Sequence, residues 1–410
     1  MIGYSGVRKY QFRELSTHFL FGSLFTSVPV LRFTGVQMEK DFKVTPWEVT
    51  GDIDYDELVV RFGTKRINDD MLARLSKYGE LHPLLRRGIV YSQRDLEWVL
   101  NEYDKGNKFF LYTGRGPSGH THLGHLMPWL FTKYLQDTFG SNLYFQMTDD
   151  EKYLFNENLQ LEDTRKMAYE NSLDVIALGF DVNKTKIMVD TEVIKTLYPL
   201  ALKVAKRVTF STAKAVFGFD NSTNIGQIYY TSMQAAPCFI ENALYGKNTP
   251  CLIPCGIDQD PHFRVARDVA PLLDYNKPAL IHNKMFPGLT GSDKMSSSQP
   301  NSTIYTTDNA KTIRKKVGTA FTGGAVSVEE QRKTGGKPEV CSVFKYQYYL
   351  FEKNDRAMDD LSEKCRKGEI LCGECKMMLA EKIVKFLEVH QQKREEAKDK
   401  IDEFMMKASC

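Results

Sequence analysis

The apolar run Phe109-Phe110-Leu111-Tyr112 passes directly into Thr113-Gly114-Arg115-Gly116-Pro117-Ser118-Gly119-His120-Thr121, and then into a segment of helical spacing from His122 through Leu126, Trp129 and Tyr134. A short run that is apolar at every position reads as a strand buried on both faces, the kind found in parallel sheets covered by helices. The glycines that follow let backbone N–H groups approach a phosphate, and the start of the next helix turns its unpaired N–H groups and dipole toward an anion. His122 and His125 stand at that helix start. About 170 residues further on, Lys294-Met295-Ser296-Ser297-Ser298 lies in a loop between Gly291 and Pro300. Its lysine is placed to close on a phosphate chain, and the two loops read together as two ends of one nucleotide site.

The rest of the chain supports an α/β reading. Leu143 to Met147, Ile187 to Val189, Cys251 to Pro254 and Ala279 to His282 read as further strands. Helical patterns fall between them at Glu162 to Leu178, Phe210 to Phe217 and Pro261 to Leu272. The alternation predicts a doubly wound parallel, Rossmann-like sheet interrupted by a helical insertion at about 190–246. Upstream, Leu58-Val59-Val60 reads as strand-like, and Ser92 reads as the N-cap of a helix from Gln93 to Tyr103, with Asp95 and Glu97 in its first turns. Beyond Asp308 the chain reads as helical, at Val340 to Leu350, Glu369 to Val389 and Gln391 to Met406. The expected division is a leader at 1–37, an appended segment at 38–105, a Rossmann-like domain at 106–307 and an all-helical domain at 308–410.

Composition narrows the partners. The net charge is +3, and residues 1–37 carry Arg8, Lys9, Arg13 and Arg32 against Glu14 alone, so the remainder is formally neutral. Any nucleic acid must then be held by local patches rather than by the bulk field. Candidates are Lys203, Lys206 and Arg207; Arg314, Lys315 and Lys316; and Arg332, Lys333 and Lys337. Eight scattered cysteines in a chain of 410 residues fit a reducing compartment. Cys372-Gly373-Glu374-Cys375 has metal or redox spacing but no second pair at zinc-finger distance, and its flanks read as ordinary helix. Nothing in the sequence reaches the ~20 apolar residues needed to span a bilayer. Phe19 to Leu31, apolar and preceded by basic residues, reads as a targeting segment, an upstream start ahead of Met38 or a disordered leader, of which a leader irrelevant to the chemistry is favoured.

The first loop resembles the HIGH signature, and the second the KMSKS signature, of class I aminoacyl-tRNA synthetases. His122-Leu123-Gly124-His125 and Lys294 to Ser298 are close variants of the two. The resemblance extends to Gln146-Met147-Thr148-Asp149-Asp150-Glu151-Lys152-Tyr153, to Gln234-Ala235-Ala236-Pro237 and to Leu252 through Pro261, and it is with the tryptophanyl branch of eukaryotic type. Pro46-Trp47-Glu48-Val49 and Asp54 to Leu58 resemble the segment preceding the catalytic domain in that branch. The resemblance runs from about Met38 to the C-terminus. It implies attack of the tryptophan carboxylate on the α-phosphorus of ATP and transfer of the aminoacyl group to tRNA(Trp). Magnesium accompanies ATP, and the protein itself holds no metal. A homodimer in the cytoplasm, away from membranes, is likewise implied.

Roles carried over from the resemblance are these. Lys294, His122, His125 and Arg115 are catalytic. Gly114, Gly116, Gly124, Gly256, Asp258, Met295 and Ser296 join them around ATP. Tyr112 and Gln146 are the indole's polar partners. Glu151, Gln234 and Gln259 meet the polar side of tryptophan, and Cys255 and Phe263 line its slot. Such chemistry requires no protein nucleophile, because the carboxylate is already ionised and pyrophosphate leaves as a stable anion. Three departures stand out. The loop between Pro117 and His122 is one residue short, Ser297 replaces the second lysine of the signature, and Ala325-Val326 follow Gly323-Gly324, where relatives often carry an Arg-Asp pair for the anticodon. Tyrosyl-tRNA synthetase shares the architecture, small-molecule nucleotidyltransferases share the HxGH loop, and a non-enzymatic regulatory derivative of the fold is a third alternative.

Overall fold

The structure is a computed structural model that describes residues 43–44, 49–50, 53–292, 294–296 and 299–407. The leader reading of residues 1–37, the Phe19 to Leu31 stretch, the resemblance at Pro46 to Glu48, and Ser297 and Ser298 lie outside the described residues. The chain divides into two units, 1–39, none of whose residues is described, and 40–410, to which everything below refers.

A two-residue ribbon pairs Lys43–Val44 with Val49–Thr50. Helix α1 (Tyr55–Phe62) follows, where a strand was expected at Leu58 to Val60. Asp54 overrides the β-branched pair by accepting from the N–H groups of Asp56 and Glu57, and Gly63 closes the helix with a left-handed φ of 64°. After β1 (Lys65–Arg66), the expected helix start at Ser92 is also corrected: Val90–Arg94 is strand β2, and helix α2 runs from Leu96 to Asp104. Ser92 is buried against Nδ1 of His282, 2.9 Å away, and the cap is supplied instead by the Gln93 side chain, which accepts from the N–H of Leu96. Cap chemistry in the sequence was legible, but tertiary burial of Ser92 decided its use.

The nucleotide-fold elements then appear in the expected order: β3 (Phe110–Arg115), α3 (Leu123–Phe139), β4 (Leu143–Met147), α4 (Asp149–Phe155), α5 (Leu161–Ala177) and β5 (Thr185–Val189). Four helices form the insertion: α6 (Ile194–Ala205), α7 (Phe210–Phe217), α8 (Ile225–Ala235) and α9 (Ile240–Tyr245). They lead to β6 (Cys251–Gly256), α10 (Asp260–Val269) and β7 (Ala279–Asn283). The helical remainder comprises α11 (Ala310–Gly318), α12 (Val328–Thr334), α13 (Ser342–Tyr346), α14 (Asp355–Arg366) and α15 (Cys372–Ala397). The two helices expected at Glu369 to Val389 and Gln391 to Met406 are thus mainly one.

Among the described residues seven strands form one sheet in the order β1-β2-β7-β6-β3-β4-β5. The five strands from β7 to β5 are parallel, as expected, whereas β1 and β2 join antiparallel at one edge. The chain leaves β3 toward β4 on one side and later returns to β6 on the other. Side by side, β3 and β6 therefore make the topological switch point, outside whose carboxyl ends a crevice must open. Phe110, Leu111 and Tyr112 are all essentially inaccessible, as a central strand requires. The far edge is covered by the end of the chain, where the Met406 N–H donates to the Ile187 carbonyl at 2.7 Å. Helix α15 is tied to α5 through the buried Asp174 carboxylate, which His390 Nε2 approaches to 2.9 Å and Arg394 also engages.

A second buried carboxylate fixes the start of α10 beneath the crevice. Asp260 receives Arg94 through Nε at 2.6 Å and Nη2 at 2.8 Å, with His282 3.2 Å away. Burial alone would raise its carboxyl, but Arg94 and His282 outweigh burial and pull it down to about 2. Because the folded value lies below the unfolded one, the stabilisation is complete above about pH 4 and disappears as pH falls through about 2. Asp260→Asn is expected to cost ~3 kcal/mol at neutral pH by leaving Arg94 with half its partner. Urea melts at pH 7 and pH 3 check this: the variant's deficit should shrink at the lower pH.

Candidate active site

Helix α3 begins at the crevice because the chain is extended at His122 (φ −132°) and turns helical at Leu123. This brings the two imidazoles together, stacked with centroids 3.5 Å apart. The His122 N–H points at His125 Nδ1 from 3.2 Å, and Arg115 Nη1 donates to His125 Nε2 at 2.8 Å. A neutral imidazole has one lone pair to offer, so these two donors compete for it. Burial first, and Arg115 next, hold both histidines well below the ordinary imidazole range, so both are neutral donors or acceptors at pH 7. Arg115 is fixed by the Asn171 side chain at 2.9 Å and the Gly119 carbonyl at 3.2 Å. Burial lowers it to about 10, which leaves it charged at neutral pH. Gly124 is required by close approach: a Cβ there would stand 3.1 Å from the His122 ring and 3.4 Å from Met295 Cβ.

The lysine loop reaches this same place. Met295 is buried, and its N–H donates to the Phe286 carbonyl at 2.7 Å, which anchors the loop. One residue earlier, the Lys294 side chain is 40% exposed and its Nζ lies 3.0 Å from Asp258 Oδ2. Lys294, Met295, His122, His125, Gly256 and Asp258 border one cavity of about 300 Å³, together with Arg115, Gly116 and Gly124. The ammonium is thus within the histidine cavity but engaged by a carboxylate, a contact that an arriving phosphate can exchange. Gly114 borders the adjoining cavity instead, and Ser296 borders neither, its carbonyl accepting from Thr303 Oγ1 at 2.7 Å.

That adjoining cavity, about 500 Å³, is bounded by Tyr112, Glu151, Gln234, Cys255, Gln259 and Phe263. His125, Gly116, Lys152, Gly256 and Gln259 belong to both walls, so the two spaces are continuous. Gln146 does not reach the wall. It is fully buried behind Tyr112, accepting from the Tyr112 hydroxyl through Oε1 while Nε2 donates to both oxygens of Asp190 at 2.9 and 2.8 Å. Asp190 therefore sets which end of the amide faces the tyrosine. Burial, and then repulsion from Asp150, lift Asp190 well above the usual carboxylate range. Since the Tyr112 proton goes to Gln146, its oxygen is left as an acceptor, now taken by Gln234 Nε2 at 2.9 Å. A ligand N–H can replace that donor.

Glu151 supplies the negative charge of this cavity. Lys152 Nζ at 2.6 Å and Thr148 Oγ1 at 2.6 Å hold it below the ordinary range although burial opposes this. Tyr230 lies 3.5 Å from the same carboxylate and hydrogen-bonds Gln234. Lys152, Tyr230, Trp129, His262 and Asp190 belong to the site or its support without having been singled out from the sequence. Lys152 was visible inside the Asp149-Asp150-Glu151-Lys152 motif, but the others are aromatic or apolar-flanked residues whose convergence has no local signal. Of the basic patches, Arg314 pairs with Glu381 at 2.8 Å on the surface and Lys316 with Asp308 at 2.6 Å, and Arg332, Lys333 and Lys337 are exposed.

A parallel sheet with an anion cradle and a closing lysine at its switch point defines a nucleotide-activating enzyme of the class I synthetase type. Residues 104–388 match the family model described as tRNA synthetases class I (W and Y), and the chain belongs to that family. It is 51% identical over 370 residues, 90% of this chain and 99% of the other, to a tryptophan–tRNA ligase of Pyrobaculum calidifontis. The structure of a tryptophanyl-tRNA synthetase from Encephalitozoon cuniculi bound to tryptophan superposes with a TM-score of 0.80 at 39% identity, covering 87% of this chain and 98% of that one. Tryptophanyl-tRNA synthetase from Plasmodium falciparum gives a TM-score of 0.78 at 40% identity, covering 84% and 92%.

Proposed function

We infer that this chain is a tryptophan–tRNA ligase, which forms tryptophanyl-adenylate and pyrophosphate from tryptophan and ATP and then charges tRNA(Trp). The observation that carries the reading is the continuity of the two cavities, one bordered by imidazoles and a lysine, the other by an anionic and hydrogen-bonding wall. ATP fits the first. The neutral His122 and His125 and the charged Arg115 donate to its phosphates, Gly124 lets adenine lie against backbone, and Lys294 exchanges Asp258 for charge developing on pyrophosphate. Magnesium arrives on the phosphates as part of that substrate. Tryptophan fits the second cavity. Its ammonium faces Glu151, its indole lies against Phe263 and Cys255, and its ring N–H is received by the Tyr112 oxygen that Gln146 orients. The carboxylate then lies toward the shared wall, where in-line attack on the α-phosphorus is a matter of positioning.

The helical region 308–410 is the proposed anticodon-binding domain, with Arg332 and Lys333 as exposed cations near Ala325-Val326. A homodimer and a cytoplasmic site of action complete the proposal; among the described residues no helix is long and apolar enough to cross a membrane. ATP–pyrophosphate exchange, run with each standard amino acid in turn, tests the assignment. Exchange with tryptophan exceeding that with tyrosine or phenylalanine by ~10⁴ is expected, because a site built on hydrogen bonds leaves its own groups unpaired when the analogue lacks the partner. Exchange with tyrosine alone would transfer the enzyme to the sister specificity.

A further inference from the structure

A single turn of α15 reaches the walls of the nucleotide cavity along two separate paths. His390 and Arg394 share one helix face, and both engage the buried Asp174 carboxylate of α5, His390 through Nε2 at 2.9 Å. One turn earlier on α5, the fully buried Asn171 holds the cradle itself: its Oδ1 accepts from Arg115 Nε at 2.9 Å and its Nδ2 donates to the Gly119 carbonyl at 3.1 Å. Asp174 also acts on Arg115 through space, since burial lowers the guanidinium and Asp174, ahead of Glu151, opposes the fall. Gln391 follows His390 and is turned about 100° away from it, toward the other wall. Its Nε2 donates to the carbonyls of Thr306 at 2.8 Å and Asp308 at 3.0 Å. Thr306 is inaccessible, and its N–H and hydroxyl both donate to the Thr121 carbonyl, at 2.9 and 3.2 Å. Beside it the Leu123 N–H donates to the Ile304 carbonyl at 3.1 Å, and His122 pairs with Tyr305 in an antiparallel bridge. The extended residue that precedes α3 thus lies along a segment that Gln391 clamps.

We propose that His390, Gln391 and Arg394 are positioning residues for the ATP step, fixing Arg115 through Asp174 and Asn171 on one side and His122 through Thr306 and Thr121 on the other. None of the three borders either catalytic cavity. The inference rests on the reading of the histidine cavity as the ATP site. Because the three side chains leave one rigid helix turn, a displacement of that turn moves both anion contacts together, and groups that align a reacting phosphate lose their effect when misplaced by about 1 Å. The wall that meets the amino acid is held by other means: Glu151 by Lys152, Tyr112 by Gln146, and Gln234 by Tyr230. Loosening the His390–Arg394 turn therefore acts on the nucleotide and spares tryptophan.

The test compares exchange kinetics with equilibrium binding of a non-hydrolysable ATP analogue and of tryptophan, all on the full chain. Gln391→Glu keeps the shape of the side chain and removes its donor, and Arg394→Gln takes one cation from Asp174. Each is expected to raise the KM for ATP and the Kd of the analogue about tenfold, with the Kd of tryptophan within about twofold of wild type. Lys382→Met breaks the Lys382 contacts to Gln347 and Glu352 elsewhere on α15 and serves as the control for a merely weakened helix. It should lower the melting temperature and leave the ATP KM where it was. An ATP KM unchanged in Gln391→Glu, raised to the same extent in Lys382→Met, or matched by an equal loss of tryptophan binding overturns the proposal. Should Arg394→Gln fail to fold, Gln391→Glu and the control still decide. A wild-type protein that does not bind the ATP analogue would overturn the assignment of the cavity and this inference with it, whereas normal wild-type binding with an unchanged variant overturns the inference alone.

Discussion

Lys294→Ala lowers the rate of adenylate formation by ~10³-fold and leaves the affinity for tryptophan within about threefold of wild type. The asymmetry follows from where the ammonium stands. Lys294 is 40% exposed and engaged with Asp258 at 3.0 Å, bordering the histidine cavity but not the adjoining one. Its charge is therefore most useful when negative charge grows on the departing pyrophosphate, which is a transition-state contribution. No second lysine follows in the loop to take its place, because Ser297 occupies that position. Stopped-flow or exchange kinetics against equilibrium tryptophan binding separate the two quantities. Equal losses in both would mean that Lys294 serves ground-state binding, and the role assigned to it would fall.

Gln146→Ala reduces discrimination between tryptophan and phenylalanine by ~10²–10³-fold, although Gln146 never reaches the cavity wall. Its effect is indirect. The amide takes the Tyr112 proton and is itself oriented by Asp190, so that the tyrosine oxygen presents a lone pair to the ligand. Without it the hydroxyl loses its nearer acceptor and divides its proton between the Gln234 carbonyl, 3.1 Å away, and the cavity, so an indole N–H no longer meets a fixed lone pair. The variant also loses ~2 kcal/mol of stability, since the buried Asp190 carboxyl loses both hydrogen bonds from the amide. Tyr112→Phe supplies the contrast: it removes the acceptor outright and should weaken tryptophan use more than Gln146→Ala does. Discrimination ratios from exchange assays check both, and an unchanged ratio in Gln146→Ala would detach Gln146 from substrate selection.

Legibility in the sequence varied with the range of the forces involved. Strand β4 and helix α7 have the boundaries read from periodicity, because burial of a continuous apolar run and helical spacing are local signals. Errors fell where a tertiary partner or a neighbouring cap outbid a residue's own preference. Ser92 looks like a cap and is a strand residue facing His282, and Leu58 to Val60 look like a strand and form a helix because Asp54 caps it. Of the two antiparallel edge strands, β1 was invisible because a two-residue pairing carries no periodicity, and β2 because Ser92 and Gln93 within it read as a helix start. Within the site, the loop residues around the nucleotide cavity were readable as motifs, whereas Tyr230, Trp129, His262 and the Asp190 support behind Gln146 were not.

From its order of residues alone this chain determined that a buried strand, a glycine loop and a histidine-bearing helix would make an anion cradle, and that a lone lysine would be available to meet it. Those features depend on neighbours within a few residues, so they are written in the order of the chain. Only the tertiary structure decided that Lys294 rests on Asp258 and that Asp190 orients the amide behind Tyr112. Each of these is a contact between segments that sheet order and helix packing bring together, and the energy that selects it resides in burial and charge pairing rather than in any local pattern.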